Sequence, residues 1–145
     1  HTNDSASSVT RLVEMGIQPF LLTSTIIAIV AQRLLRKICS HCKVEHEPDE
    51  QILRMLKIPA NKYKFYIGKG CPTCFNTGYK GRVAIHEILM MNDEIRRSVF
   101  EGHSTEEIKR AAKLSGMKTM RIDALAKAVG GITTLSEVLR MTKEE

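Results

Sequence analysis

Tryptophan is missing from this 145-residue chain, and only four phenylalanines and three tyrosines supply aromatic side chains. A core built from such a sequence is aliphatic. Long apolar runs are missing too. The longest, Phe20 to Ala31, is broken by Thr23, Ser24 and Thr25 and falls short of the ~20 residues a membrane-spanning helix needs, so it is expected to form a buried element. No secretory leader is read, which leaves a reducing cytosol as the simplest compartment. No Gly-x-x-x-x-Gly-Lys-Ser/Thr loop occurs, because Gly68-Lys69-Gly70 lacks the upstream glycine and the following hydroxyl. His86-Glu87 opens like a zinc-protease helix, but position 90 is methionine, so the second histidine ligand is absent. Internal repeats and low-complexity tracts are likewise lacking.

Against these absences stand four cysteines in two tight pairs, Cys39-Ser40-His41-Cys42 and Cys71-Pro72-Thr73-Cys74. Two residues between sulfurs let both thiolates of a pair turn toward one ion. Four such ligands form a closed tetrahedral Zn²⁺ site, structural because no position stays open for water. Residues 43–70 separate the pairs, a longer gap than in a simple ribbon, so the site is expected to close a small subdomain. Disulfides are the main competing reading. A chain of this length buries a core without them. His41 and His46 flank the first pair; with four cysteines available, they are read as exposed polar residues.

Hydrophobic residues make up 43% of the chain and charged residues 26%, the balance of a folded globular domain or of one domain plus an insert. The formal charge is +6. Four bound thiolates and one Zn²⁺ would leave about +4, a moderate excess that suits an anionic partner but also ordinary solvated lysines. The chain opens on the polar run His1-Thr2-Asn3-Asp4 rather than on methionine, and is expected to be a piece of a longer protein.

Along the chain, Asp4 is a plausible N-cap for a helix carrying Val9, Leu12 and Val13, ended by Gly16. Pro19 suits the first turn of a second helix over Phe20–Ile27. The second half of 28–38 reads as a strand, with helix continuation as the alternative. Within the cysteine module, Pro48-Asp49 opens a short helix with Ile52, Leu53 and Leu56, and Lys62–Ile67 has strand-like aromatic content. Arg82–Met90 reads as a half-buried strand, expected to pair antiparallel with 32–38 so that the module forms the tip of an elaborated hairpin. Beyond Asn92 the pattern is helical. Ser104-x-x-Glu107 and Thr134-x-x-Glu137 are capping boxes, a third helix covers Met120–Val129, and residues 92–141 resemble a small helical bundle.

Single histidines and arginines are weak signals. His1, at a strand end beside a helix N-terminus, could meet an anion, and Arg11 or Arg82 could grip phosphate. The ordered set is far more specific. His1-Thr2-Asn3, Thr10-Arg11-Leu12, Met15-Gly16-Ile17-Gln18-Pro19-Phe20-Leu21-Leu22, Ala31-Gln32-Arg33-Leu34, the two cysteine pairs, Thr77-Gly78-Tyr79-Lys80-Gly81-Arg82 and Ile132 through Arg140 together resemble the traffic ATPase family that drives type II secretion and type IV pilus assembly, over essentially the whole chain.

The resemblance implies an α+β fragment, mostly α. It would be the C-terminal part of a RecA-like P-loop ATPase core with an inserted tetracysteine zinc module and a small C-terminal helical bundle. The divisions expected are 1–38 for the core part, 39–81 for the zinc module, 82–91 for a returning core strand and 92–145 for the helical domain. His1 matches the histidine-box residue used near the terminal phosphate of ATP. Arg11 and Arg82 match basic positions at the nucleotide site or subunit interface, and Cys39, Cys42, Cys71 and Cys74 match the metal-binding module. The parent implied is a homo-hexamer that uses ATP and Mg²⁺. It would work in the cytoplasm, peripheral to the bacterial inner membrane, against an inner-membrane platform protein. Its phosphate loop and Walker B carboxylate would lie upstream, so this chain alone is not expected to hydrolyse ATP. Pilus-retraction relatives lack the module, so the chain resembles the assembly or export branch; His86, where many export members carry tyrosine, hints at pilus assembly. No nucleic-acid partner is expected, although a zinc-ribbon nucleic-acid-binding module is the alternative that shares the cysteine pairs and basic balance.

Overall fold

Asp4 starts the first helix: its carboxylate accepts the Ser7 N–H at 2.8 Å, and its own N–H donates to the Ser7 hydroxyl. This reciprocal cap satisfies donors that a helix start leaves open. The helix that follows, α1 (Ser5–Glu14), is succeeded by α2 (Pro19–Thr25), whose proline occupies the first turn, where its missing N–H costs nothing. The computed structural model describes residues 2–59 and 62–142. The remaining elements are β1 (Ala28–Ile38), β2 (Lys43–Glu45), α3 (Glu50–Leu56), β3 (Tyr66–Gly68), β4 (Tyr79–Met90), α4 (Asp93–Phe100), α5 (Thr105–Leu114), α6 (Met120–Val129) and α7 (Leu135–Met141), with one 3₁₀ turn at Pro72–Cys74. The fold is α+β, with seven helices and two two-stranded sheets among the described residues.

β1 pairs with β4. Met91 N–H donates to Ile27 C=O at 2.9 Å at one end, and Cys39 N–H to Gly78 C=O at 2.9 Å at the other, so the strands run antiparallel as the sequence implies. β1 is longer than expected. It covers eleven residues from Ala28, because α2 stops at Thr25 and Ile26 is already extended. The smaller sheet pairs β2 and β3 antiparallel, Val44 opposite Ile67. β3 is shorter than the aromatic run Lys62–Ile67 suggests: only Tyr66–Gly68 form a strand.

The chain folds as two compact units. The first contains the described residues through Gln32 together with His86–Met120. Its core joins Ala6 and Val9 of α1 to Leu89, Met91, Ile95, Val99, Ile108 and Ala112. The second contains Arg33–Ile85 and Arg121 onward. There Leu35, Ile85, Ala124, Ala128 and Val138 are fully buried, and burying a leucine or isoleucine side chain contributes about 2 kcal/mol. The C-terminal helices divide accordingly: α4 and α5 belong with α1 and α2, whereas α7 and all of α6 after its first residue belong with the cysteine module.

Candidate metal centre

Both cysteine pairs lie where the chain is forced to turn. Cys39 directly follows β1, and its carbonyl accepts the Cys42 N–H at 3.3 Å. The Cys71 carbonyl accepts both Cys74 N–H at 3.1 Å and Asn76 N–H at 2.9 Å. Closing the second turn places Phe75 and Asn76 at positive φ, 51° and 59°. The result brings four sulfurs within 4.8 Å of one another. The separations are 3.8 Å for Cys39–Cys71, 3.9 Å for Cys42–Cys74 and 3.7 Å for Cys71–Cys74. Disulfide sulfurs stand about 2.05 Å apart, so these are not disulfides. Ligands at ~2.3 Å in a tetrahedron about Zn²⁺ would lie roughly 3.8 Å apart, and the donor set therefore fits that ion.

The sulfurs are electrostatically unequal. Burial pushes the Cys74 thiol up, but N–H groups of Cys71 and Gly78 more than offset this and lower it; both donate to its Sγ at 3.3 Å. Burial raises Cys42, and the sulfurs of Cys74, Cys71 and Cys39 raise it further. Four thiolates this close repel one another, and a cation among them removes the conflict.

Glycines set the frame around the sulfurs. A Cβ on Gly68 would stand 2.0 Å from the Gly78 carbonyl oxygen, and one on Gly78 would stand 2.4 Å from that of Gly68. The two backbones therefore cross with no side chain between them. Lys69 N–H donates to Cys42 C=O at 3.0 Å, tying the pairs together. The module rests on the turn before α7. Lys43 lies over the Tyr66 ring at 4.3 Å, and a Cβ on Gly131 would collide with both. Ile38 N–H donates to Ile132 C=O at 2.9 Å, and the Tyr79 hydroxyl meets Thr134 Oγ1 at 2.9 Å.

The family model for the type II/IV secretion system protein matches residues 1–140. The chain belongs to this family. It is 50% identical to the type IV pilus assembly ATPase PilB of Thermus thermophilus, over 99% of this chain and 16% of that protein. It is 42% identical to the type II secretion system protein HxcR of Pseudomonas aeruginosa (99% and 27%) and 40% identical to the type II secretion system protein E of the same organism (100% and 29%). The chain thus spans less than a third of the length of these relatives. Among the described residues, no helix is long and apolar enough to cross a membrane.

Of the residues singled out within this family frame, the four cysteines are brought together. His1 lies outside the described residues. Arg11 is exposed on α1 in the first unit and pairs with Glu14 at 3.3 Å. Arg82 is exposed on β4 in the second unit. His41 and His46 are exposed and stand apart from the sulfur cluster. Two buried polar networks were not foreseen. Glu87, fully buried, accepts the N–H and hydroxyl of Ser5, while Asp4 pairs with buried Lys109 at 2.5 Å. Glu137, also buried, binds Arg36 at 2.6 Å and Arg140 at 2.8 Å. The partners Ser5–Glu87, Asp4–Lys109 and Arg36–Glu137 lie 82 to 105 residues apart, and such pairings leave no local signal in the sequence.

Proposed function

We propose that this chain is the C-terminal portion of a hexameric secretion or pilus-assembly motor ATPase, and that its tetracysteine module carries one structural Zn²⁺. The observation that carries the metal reading is the cluster of four sulfurs within 4.8 Å of one another, three of their separations being 3.7–3.9 Å. Bound there, Zn²⁺ supplies a closed cross-link and no catalytic water. Cys39 and Cys42 would hold it from the side of β1 and β2 and Cys71 and Cys74 from the 3₁₀ turn, with the Gly78 N–H donating to the Cys74 sulfur. The sequence contains no Gly-x-x-x-x-Gly-Lys-Ser/Thr phosphate loop, and in this reading the chain would contribute residues to a nucleotide site built mostly elsewhere. His1 would act near the terminal phosphate; Arg11 and Arg82 would serve the nucleotide site or the subunit interface, where phosphate charge calls for arginine.

The parent would couple ATP hydrolysis to protein export or pilus extension at the cytoplasmic side of the bacterial inner membrane, with the zinc module as a structural or docking element toward the platform protein. The nucleic-acid alternative would need stacking aromatics grouped on one surface; of Tyr63, Phe65 and Tyr66 only Tyr63 is exposed, since Phe65 is buried and Tyr66 lies under Lys43, while Lys64 pairs with Glu45 at 3.0 Å. Elemental analysis is expected to find one zinc per chain, lost on replacing Cys71 and Cys74 by serine. The chain alone is expected to show no ATP turnover. A metal-free preparation with all four thiols reduced and full thermal stability would sink the metal reading, and robust ATPase activity of residues 1–145 would sink the motor-fragment reading.

A further inference from the structure

We propose that a groove between the end of α3 and the outer side of α6 docks an acidic amphipathic helix of a partner protein. This rests on the reading of the module as a docking element and names the place and the chemistry. The groove, about 390 Å³, is lined by Leu56, Ile58, Tyr63, Leu125 and Val129, all within the second unit. α6 is apolar on two sides. Ala124 and Ala128 face the unit's interior at 0% exposure, while Ile122, Ala126 and Val129, at positions i, i+4 and i+7, are exposed. An exposed apolar stripe beside a groove is a face that a partner can cover.

Charge selects the partner. The groove wall includes Lys57, and Lys62 stands over the Tyr63 ring at 5.4 Å. The carboxylates of the two helices that line it are matched: Asp123 on α6 by Lys127 at 2.6 Å, Glu50 on α3 by Arg54 at 2.9 Å. The sequence of this unit (33–85 and 121–145) holds fifteen lysines and arginines against eight aspartates and glutamates, whereas the first (1–32 and 86–120) holds seven against eight. The chain's whole positive excess therefore lies in the unit with the groove. A helix end, a turn and a helix line it, so it offers side chains rather than a strand edge. That favours a helix laid in a groove over strand addition.

The test uses the whole chain and two labelled synthetic helices with the same leucine stripe at i, i+4 and i+7, one with glutamate and one with lysine at the remaining positions. The glutamate helix is expected to bind saturably and the lysine helix at least about tenfold more weakly, a gap of roughly 1.4 kcal/mol. Lys57→Glu, which reverses the groove's charge, and Ala126→Trp, which fills it, are each expected to weaken the glutamate helix about tenfold. Lys80→Glu, outside the groove, is expected to leave binding within about twofold. Lys57 and Ala126 are exposed, and Lys57→Glu decides alone should the tryptophan disturb folding. Equal binding of the two helices, an equal loss with Lys80→Glu, or no saturation by ~1 mM would overturn the proposal. A chain that loads zinc yet ignores the peptide discards the groove and leaves the metal reading intact.

Discussion

Glu137 accepts hydrogen bonds from the Arg36 amide, the Arg36 guanidinium and two nitrogens of Arg140, at 2.6–3.0 Å, while only 1% of its side chain is exposed. Burial alone would raise its pKa. The Arg140 and Arg36 contacts more than offset that and hold the carboxyl at about 2, against an ordinary 4.5. Because the folded value is the lower one, the stabilisation is complete above the ordinary value and is lost as pH falls through about 2. Urea titrations are expected to show the second unit weakening over that window, with Glu137→Gln flattening the dependence and costing about 2 kcal/mol at neutral pH. The sequence motif Thr134-x-x-Glu137 was half legible. Thr134 does cap α7, accepting the Glu137 N–H at 3.2 Å, but the glutamate side chain turns to arginines instead of the cap. Asp4 has a similar double role, as cap of α1 and partner of Lys109. Lys109→Met is expected to cost about 2 kcal/mol by taking the counter-charge from a half-buried carboxylate that keeps only its Ser7 N–H partner. Adding Asp4→Asn, which keeps a good cap, should recover at least half of that in the same denaturation assay.

Among the elements, caps and breakers carried most of the legible information. Asp4, Ser104 and Thr134 cap the helices expected of them, and Asp49 and Asn92, read only as the points where helices open, cap α3 and α4, because a cap is a local bond between near neighbours. Strands were less legible. Val30 and Leu34 are 57% and 41% exposed apolar residues on β1, and they blur the alternation that marks a half-buried strand. Glycines beside the cysteine pairs suggest turns, and Gly70 and Gly78 do have positive φ. Gly68 instead serves a contact, invisible in sequence, with backbone ten residues away. Gly68→Ala is expected to open the module and lower zinc stoichiometry in elemental analysis. Gly116→Ala, with positive φ but open space around it, should cost only about 1 kcal/mol and leave the metal untouched.

At the scale of the molecule, the cysteine spacing announced a metal module, but no local pattern could assign the helices of 92–141 to two units. Grouping follows contacts such as Ile38 with Ile132 and Arg36 with Glu137, each spanning most of the chain. One consequence is measurable by hydrogen exchange. Chelation should release amides at 39–78 first, then those of α6 and α7, which share the unit, while α1, α4 and α5 keep their protection. Simultaneous release of all helices would contradict the division into units.

The crossing of Gly68 and Gly78 also constrains how this sequence can drift. Each position is closed to a side chain by the carbonyl group of the other, and a carbonyl cannot be mutated away. No second substitution makes room, whichever position changes first. A change at either glycine is therefore expected to require a new backbone path for the loop between them, which a compensating side-chain change elsewhere does not supply.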